Sequence, residues 1–319
     1  MNNSSRIIYI GAPEANAASF EVLARSEWPH IDLLATDDRA VAIEEAHSAA
    51  VMIGHHFQFD EEIVSKAANL RWIQSLTTGT DAIVKLNGLK PDVQVTSTRG
   101  MHGPQMSELV FMHMLNLTRD MPRMLRNQSN ATWERWPQPL LWGKTIVIVG
   151  VGAISEALAL RCKTFGMKVV GVSSTSRLPE GFDAMYSRSE IVQAASQADY
   201  LVLVVPYSAD TDNLIDATVL AALPSHAYVI NVARGGVLDE SALIAALRSK
   251  KIAGAALDVF RQQPLPSDHL LWSEPGILIS PLLGGMSNVY LEQAWPIVRK
   301  NLSNFLSNDL SAMQNIVQR

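Results

Sequence analysis

The chain has 319 residues, 48% of them hydrophobic and 18% charged, with a formal net charge of −5. That is enough chain for two domains and enough apolar side chain for the large core of a globular α/β protein. The acidic balance argues against a nucleic-acid surface, no apolar run is long enough to span a bilayer, and the single cysteine, Cys162, leaves no disulfide framework and no cysteine metal site.

The opening segment, Met1 to Arg6, lacks the apolar stretch of a signal peptide, so a cytoplasmic protein is expected. Arg6–Ile10 reads as a short apolar strand ending at Gly11, and a helical pattern follows through Phe20, Val22 and Leu23. Ile31–Leu34 and Ala49–Ile53 read as strands, with a helix near Ala40–Ala46. Asp60 is placed to cap a helix running through Ile63, Val64 and Ala67. Arg71–Ser75 is a further strand, followed by the polar loop Leu76–Asp81, and Val93–Thr96 closes the series. Alternating strands and helices predict a parallel, doubly wound sheet that binds ligands beyond the carboxyl ends of its strands. Thr77, Thr78 and Gly79 lie at such an end, where backbone N–H groups can hold a carboxylate. The same three residues also make an ordinary surface turn.

Residues 97–143 read as a joint. Ser97–Pro104 is glycine-rich, and Pro104 suits the first turn of a long helix carrying Met106, Met112, Met114, Met121 and Met124. Trp133, Trp136 and Trp142 follow among polar residues and prolines. They fit a projecting arm at a subunit interface, or an arm folded back on its own domain.

A second series starts at Lys144. Thr145–Val149 is entirely β-branched and uncharged, as a strand buried on both faces would be. Gly150 and Gly152 interrupt it, and Ile154, Ala157, Leu158, Leu160 and Cys162 resume at helical spacing. Strand, glycine turn and helix form the context in which Gly-x-Gly binds a dinucleotide. Gly150 permits the turn, and Gly152 lets a pyrophosphate approach the amides of Ala153 and Ile154 at the helix start. Ser155 replaces the third glycine, which predicts slightly looser packing of helix on strand. A plain strand-to-helix turn is the alternative. Strands follow at Lys168–Val172, Asp199–Val205, Ala227–Asn231, Ile252–Leu257 and Ile277–Ser280. Asp239 is placed to cap a helix, and a last helix is predicted over Ser287–Leu306. An NAD site carries an acidic residue about 20 residues past the glycines. Here Ser173 and Ser174 stand there, with Arg177 close by and nothing negative in the segment, which favours NADP over the alternative, NAD.

Several strings resemble the D-isomer-specific 2-hydroxyacid dehydrogenase family: Gly100-Met-His-Gly-x-x-Met-x-Glu108, Gly150-Val-Gly-Ala-Ile, Asn231-Val-Ala-Arg-Gly-Gly-Val-Leu-Asp239, Ala256-Leu-Asp-Val-Phe260 and Pro264-Leu-Pro266. The resemblance covers nearly the whole chain. It implies two doubly wound parallel-sheet domains, a Rossmann cofactor domain (101–283) inserted in a flavodoxin-like substrate domain (1–100 and 284–319), and a homodimer. It implies hydride transfer between a nicotinamide and a small 2-hydroxy or 2-keto acid. Arg234 then holds the substrate carboxylate in paired hydrogen bonds, Asp258 meets the nicotinamide carboxamide, and Pro206, Val232 and Ala233 line the cofactor. No metal is implied.

The acid/base pair departs from the family. Its histidine follows the proline after the last strand, where this chain has Leu282, and the histidine's partner glutamate is here Gln263. Leucine exchanges no proton, and glutamine carries no charge to stabilise an imidazolium. General acid/base catalysis contributes roughly 100- to 10,000-fold, about 3–5 kcal/mol of barrier. His102 is the best substitute by position, although a hydrogen-bonded structural histidine is the stronger reading of it; His55, His56, His269 and Tyr290 are weaker candidates. Two readings follow. One is an oxidoreductase with an atypical acid/base site and a small anionic substrate. The other is a catalytically impaired, dinucleotide-binding regulatory or scaffold protein.

Overall fold

The computed structural model describes residues 6–175 and 177–318. Met1–Ser5, on which most of the signal-peptide expectation rests, and Ser176 lie outside them. Two compact units form, one from the chain up to Met101 together with the chain from Met286 onward, the other from His102–Gly285.

The first unit is built on β1 (Ile7–Ile10), β2 (Leu33–Thr36), β3 (Val51–Gly54), β4 (Trp72–Ser75) and β5 (Gln94–Thr96). All pair in parallel, in the order β2-β1-β3-β4-β5. That is the flavodoxin order. Successive side chains of a strand point to opposite faces. Ile7 and Tyr9 accordingly enter one core with Phe20 and Tyr290, while Ile8 and Ile10 enter the other with Met52 and Ile63. The strand expected at Ile31 starts at Leu33, the residue that pairs with Ile7. Asp60 caps its helix by accepting from the Ile63 amide. The last helix, Tyr290–Leu306, packs in this unit, and Asn301 donates to the buried Gln74 of β4 at 2.8 Å.

The second unit holds β6 (Thr145–Val149), β7 (Lys168–Ser173), β8 (Ala184–Ser187), β9 (Tyr200–Leu203), β10 (Tyr228–Asn231), β11 (Gly254–Leu257) and β12 (Ile277–Ile279). Its parallel order is β12-β11-β10-β9-β6-β7-β8, the dinucleotide-binding order with one further strand. Val147 and Val149 face one core; Ile146 and Ile148 face the other. The sequence reading missed β8, a partly exposed edge strand with only one pairing partner, β7. It also ran one helix too far. Gly103–Thr118 ends where Asp120 turns left-handed (φ 52°), and the Asp120 carboxylate caps a separate Met121–Ser129 helix at the Arg123 amide. Arg123 lies over Trp136 and pairs with Glu134, folding the arm back on that helix, whereas Trp133 stays 93% exposed. Among the described residues no helix is long and apolar enough to cross a membrane, and no group of three or more acidic, histidine or cysteine side chains is arranged to hold a metal.

Candidate active site

The glycine turn sits between β6 and the Ala153–Thr164 helix. Gly150 has φ +102°, and a Cβ there would lie 2.7 Å from the Val205 backbone, so only glycine fits. Ser155 is buried and binds Gly152 twice, accepting from its amide at 2.7 Å and donating to its carbonyl at 2.8 Å. The serine therefore braces the turn. Ala153 and Ile154 lie in the first helical turn, where backbone amides have no intrahelical acceptor. At the end of β7, Ser173 accepts from the Thr175 amide, and Ser174 is exposed. Arg177 is exposed but pairs with Glu156 at 3.3 Å. A negative group does stand beside the 2′-phosphate position argued from sequence, because the helix supplies a carboxylate that the local segment lacks. Pro206 is exposed and its carbonyl accepts from Thr211; Val232 and Ala233 are buried.

Arg234 follows β10 on a braced turn. Asn231 accepts from the Ala233 amide and donates to the Arg234 carbonyl, both at 3.1 Å. Gly235 packs so closely that a Cβ would fall 1.9 Å from the Phe260 carbonyl carbon. The guanidinium is exposed and touches the Ala233 carbonyl at 2.7 Å. No carboxylate pairs with it among the described residues.

Asp258 follows β11 and is almost fully buried. Its carboxylate accepts from the Ser280 hydroxyl (2.6 Å), the Leu283 amide (2.8 Å) and the Gly284 amide (2.9 Å). Hydrogen bonds to a charged group are worth roughly 1.5–3 kcal/mol each, so Asp258 is the anchor of the 280–284 loop. Ser280 also meets His113 Nε2 at 3.1 Å. The Ser280 proton is committed to Asp258, so the histidine donates from Nε2 and its Nδ1 is a bare acceptor, buried and unpartnered. Burial pushes the His113 pKa down, against an opposing pull from Asp258. Leu282 sits on this loop at φ 58° and is 49% exposed. Gln263 is exposed, on another loop. His102 is buried at the start of the Gly103–Thr118 helix, and a Cβ on Gly285 would come 3.8 Å from its ring.

In the first unit the Thr77 hydroxyl is held by Ser75 (2.9 Å), His56 (3.0 Å) and the Gly79 carbonyl (3.0 Å). Thr78 is exposed. Behind this loop, His55 is only 2% exposed, with Nε2 3.1 Å from Glu14. Burial, reinforced by His56, pushes the His55 pKa down to about 4. Sequence reasoning did not single out Ser280, His113 or Glu14. Their partners are remote in the chain, and the only local signal was a polar residue interrupting an apolar pattern.

The fold and the glycine turn define a two-unit α/β protein whose second unit binds a dinucleotide. Residues 111–284 match the NAD binding domain of D-isomer specific 2-hydroxyacid dehydrogenase. A glyoxylate reductase of Thermococcus litoralis is 30% identical over 262 residues, 79% of this chain and 78% of that one. A D-isomer specific 2-hydroxyacid dehydrogenase family protein from Aeromonas salmonicida superposes with a TM-score of 0.90, at 32% identity, over 99% of each chain. A Xanthobacter autotrophicus D-isomer specific 2-hydroxyacid dehydrogenase, solved with NADPH and MES, gives 0.83 at 26% identity, over 99% of this chain and 98% of that one. The chain belongs to the D-isomer specific 2-hydroxyacid dehydrogenase family, NAD(P)-dependent oxidoreductases that act on CH–OH groups.

Proposed function

We propose that the chain interconverts small 2-keto and 2-hydroxy acids with NADP(H), anchoring the substrate carboxylate on Arg234 and using an acid/base group other than the family's histidine. The observation that carries this is the exposed Arg234 guanidinium, braced from behind and free of any carboxylate among the described residues. Its planar fork matches a carboxylate in two parallel hydrogen bonds. When bound, the nicotinamide supplies or takes up the hydride. Gly150, Gly152, Ala153 and Ile154 fit its pyrophosphate, and Pro206, Val232 and Ala233 are assigned to its flank. Ser173, Ser174 and Arg177 are assigned to the 2′-phosphate, for which Arg177 must exchange its contact with Glu156. Asp258 is assigned to the carboxamide through the lone pairs its loop leaves over. Thr77, Thr78 and Gly79 remain the proposed anion loop of the first unit. His102, packed near Gly285, is the proposed substitute proton carrier at the Leu282 loop. A homodimer is part of this reading.

The test is NADPH and NADH oxidation against glyoxylate, hydroxypyruvate and larger 2-keto acids. Faster turnover with NADPH, abolished by Arg234→Ala, supports the reading. No turnover with any of them, despite tight NADPH binding, would favour the second reading, a catalytically impaired regulatory or scaffold protein. Leu282 and Gln263 are the specific observation behind that alternative.

A further inference from the structure

The end of β7 carries no acid. An NAD site needs one there, to accept from the ribose 2′-hydroxyl, whereas an NADP site sets an arginine against the 2′-phosphate. Ser173, Ser174 and Arg177, assigned above to this position, answer the second requirement only. A carboxylate reaches the same place from another element. Glu156 lies in the first turn of the Ala153–Thr164 helix, and its amide donates to the Gly152 carbonyl at 2.9 Å, which ties its backbone to the glycine turn. Its carboxylate meets both prongs of the Arg177 fork, Nη1 against Oε1 and Nη2 against Oε2, each at 3.3 Å.

This contact is loose. Well-made charge-assisted bonds run at roughly 2.7–2.9 Å, and the Arg177 side chain is 67% exposed, that of Glu156 33%. Exposed ion pairs are weak and are screened by salt. Neither side chain has a further partner among the described residues, so nothing else commits them to the fold. A cation and an anion therefore stand side by side, both reachable from solvent. Arg177 offers a planar fork that matches a phosphate. Glu156 offers the acceptor that a hydroxyl needs. The two uses oppose each other. A 2′-phosphate brings up to about two negative charges at neutral pH, so Arg177 must leave Glu156 to hold it, and the carboxylate left behind repels it. A 2′-hydroxyl asks nothing of Arg177, which can stay in place and steady Glu156 as the acceptor.

We propose that Glu156 is a specificity-determining residue for the dinucleotide. It supplies from the helix the acid that β7 lacks, and it keeps a site suited to NADP(H) open to NAD(H). The proposal rests on the reading above in one respect, that Arg177 serves the 2′ position. Cofactor choice then turns on one exchangeable ion pair, and the preference for NADPH is limited by the residue that Arg177 has to leave.

The experiment is calorimetric titration of the whole protein with NADPH and with NADH, at pH 7.5 and low salt, with no substrate present. Glu156→Ala removes both charge and acceptor and puts a good helix former in the helix. It should tighten NADPH about threefold and weaken NADH about threefold, widening the ratio about tenfold. The opposite signs are the signature. Both ligands are anions, so a mere loss of negative charge from the surface would tighten both. Arg177→Ala should weaken NADPH at least about tenfold, with NADH nearly unchanged. An unchanged ratio in Glu156→Ala, or a shift of both affinities in one direction, overturns the assignment. If Arg177→Ala erases a preference for NADPH that Glu156→Ala does not widen, the role of Glu156 falls and the NADP reading stands. If the parent protein prefers NADH and Glu156→Ala narrows or reverses that preference, Glu156 stands and the NADP reading falls.

Discussion

Two turns of the second unit make an instructive pair. The Arg234 turn and the 280–284 loop follow strands of one sheet, and both are held by polar side chains. In the first, Asn231 braces the backbone and the guanidinium is left over for something else. In the second, Asp258, Ser280 and His113 are all engaged in a relay that fixes the loop, and what the loop shows to solvent is Leu282 and Leu283. One turn keeps its charge available; the other spends most of its hydrogen-bonding capacity on its own shape. A charged residue near a strand end thus means little until its partners are counted.

The comparison breaks most visibly if the second turn is given the chemistry it lacks. Leu282→His with Gln263→Glu should raise glyoxylate or hydroxypyruvate reduction roughly 100-fold. The double change should exceed the product of the singles, because the glutamate acts only through the histidine. A histidine also tolerates the left-handed backbone at 282 better than leucine does. Steady-state kinetics check this; a folded, cofactor-binding double variant that stays inert would contradict it.

Damage to the first turn comes next. Arg234→Lys keeps the charge and loses the fork, and turnover should fall at least about tenfold with NADPH affinity nearly unchanged. An unaffected rate would make Arg234 a structural residue.

A smaller effect belongs to the relay. His113 has its pKa lowered by folding, so the unfolded chain binds the proton more readily. Its contribution carries no penalty above the ordinary histidine value of about 6.5 and destabilises the fold progressively as pH drops below it. His55, lowered to about 4, acts in the same direction. Denaturant midpoints measured between pH 7.5 and 4.5 should fall, and less steeply in His113→Leu. Equal slopes in both proteins would remove His113 from the account.

The smallest concerns strain. Leu282→Gly relieves a left-handed leucine, and after glycine's extra chain entropy the gain should be about 0.5–1 kcal/mol. Thermal melting measures it, and a loss of stability would show that the half-exposed leucine packs better than its geometry implies.

Both sheets were legible in the sequence because strands such as Ile7–Ile10 and Thr145–Val149 are continuous apolar runs bounded by glycine. The glycine turn and the Asp60 and Asp239 caps were legible for the same reason: each is a local pattern whose partner lies within a few residues. Asp120 was not, since nothing in a methionine-rich run announces a left-handed residue. Nor was β8, whose Ala-Met-Tyr-Ser sequence is strand only by pairing with β7. The state of the site was least legible. His113 and Ser280 are 167 positions apart, and Glu156 reaches Arg177 across a helix and a strand. A motif names the residue types at a site, whereas their freedom to act depends on contacts that no spacing encodes.

With the pyrophosphate seated at the glycine turn as proposed, the Ser155 brace bears on how quickly and how firmly a dinucleotide is accepted. The glycine turn keeps its shape through two bonds from one buried hydroxyl, so the loop has little freedom left to surrender when a pyrophosphate arrives. The ordering cost of association, which weakens many flexible phosphate loops, has here been met during folding. The same brace occupies the Gly152 amide, so the incoming anion has one fewer donor unless the hydroxyl swings aside. Recognition at this turn is therefore rigid and sparing. Removing the brace, as in Ser155→Ala, would exchange a preformed seat with fewer donors for a looser one with more.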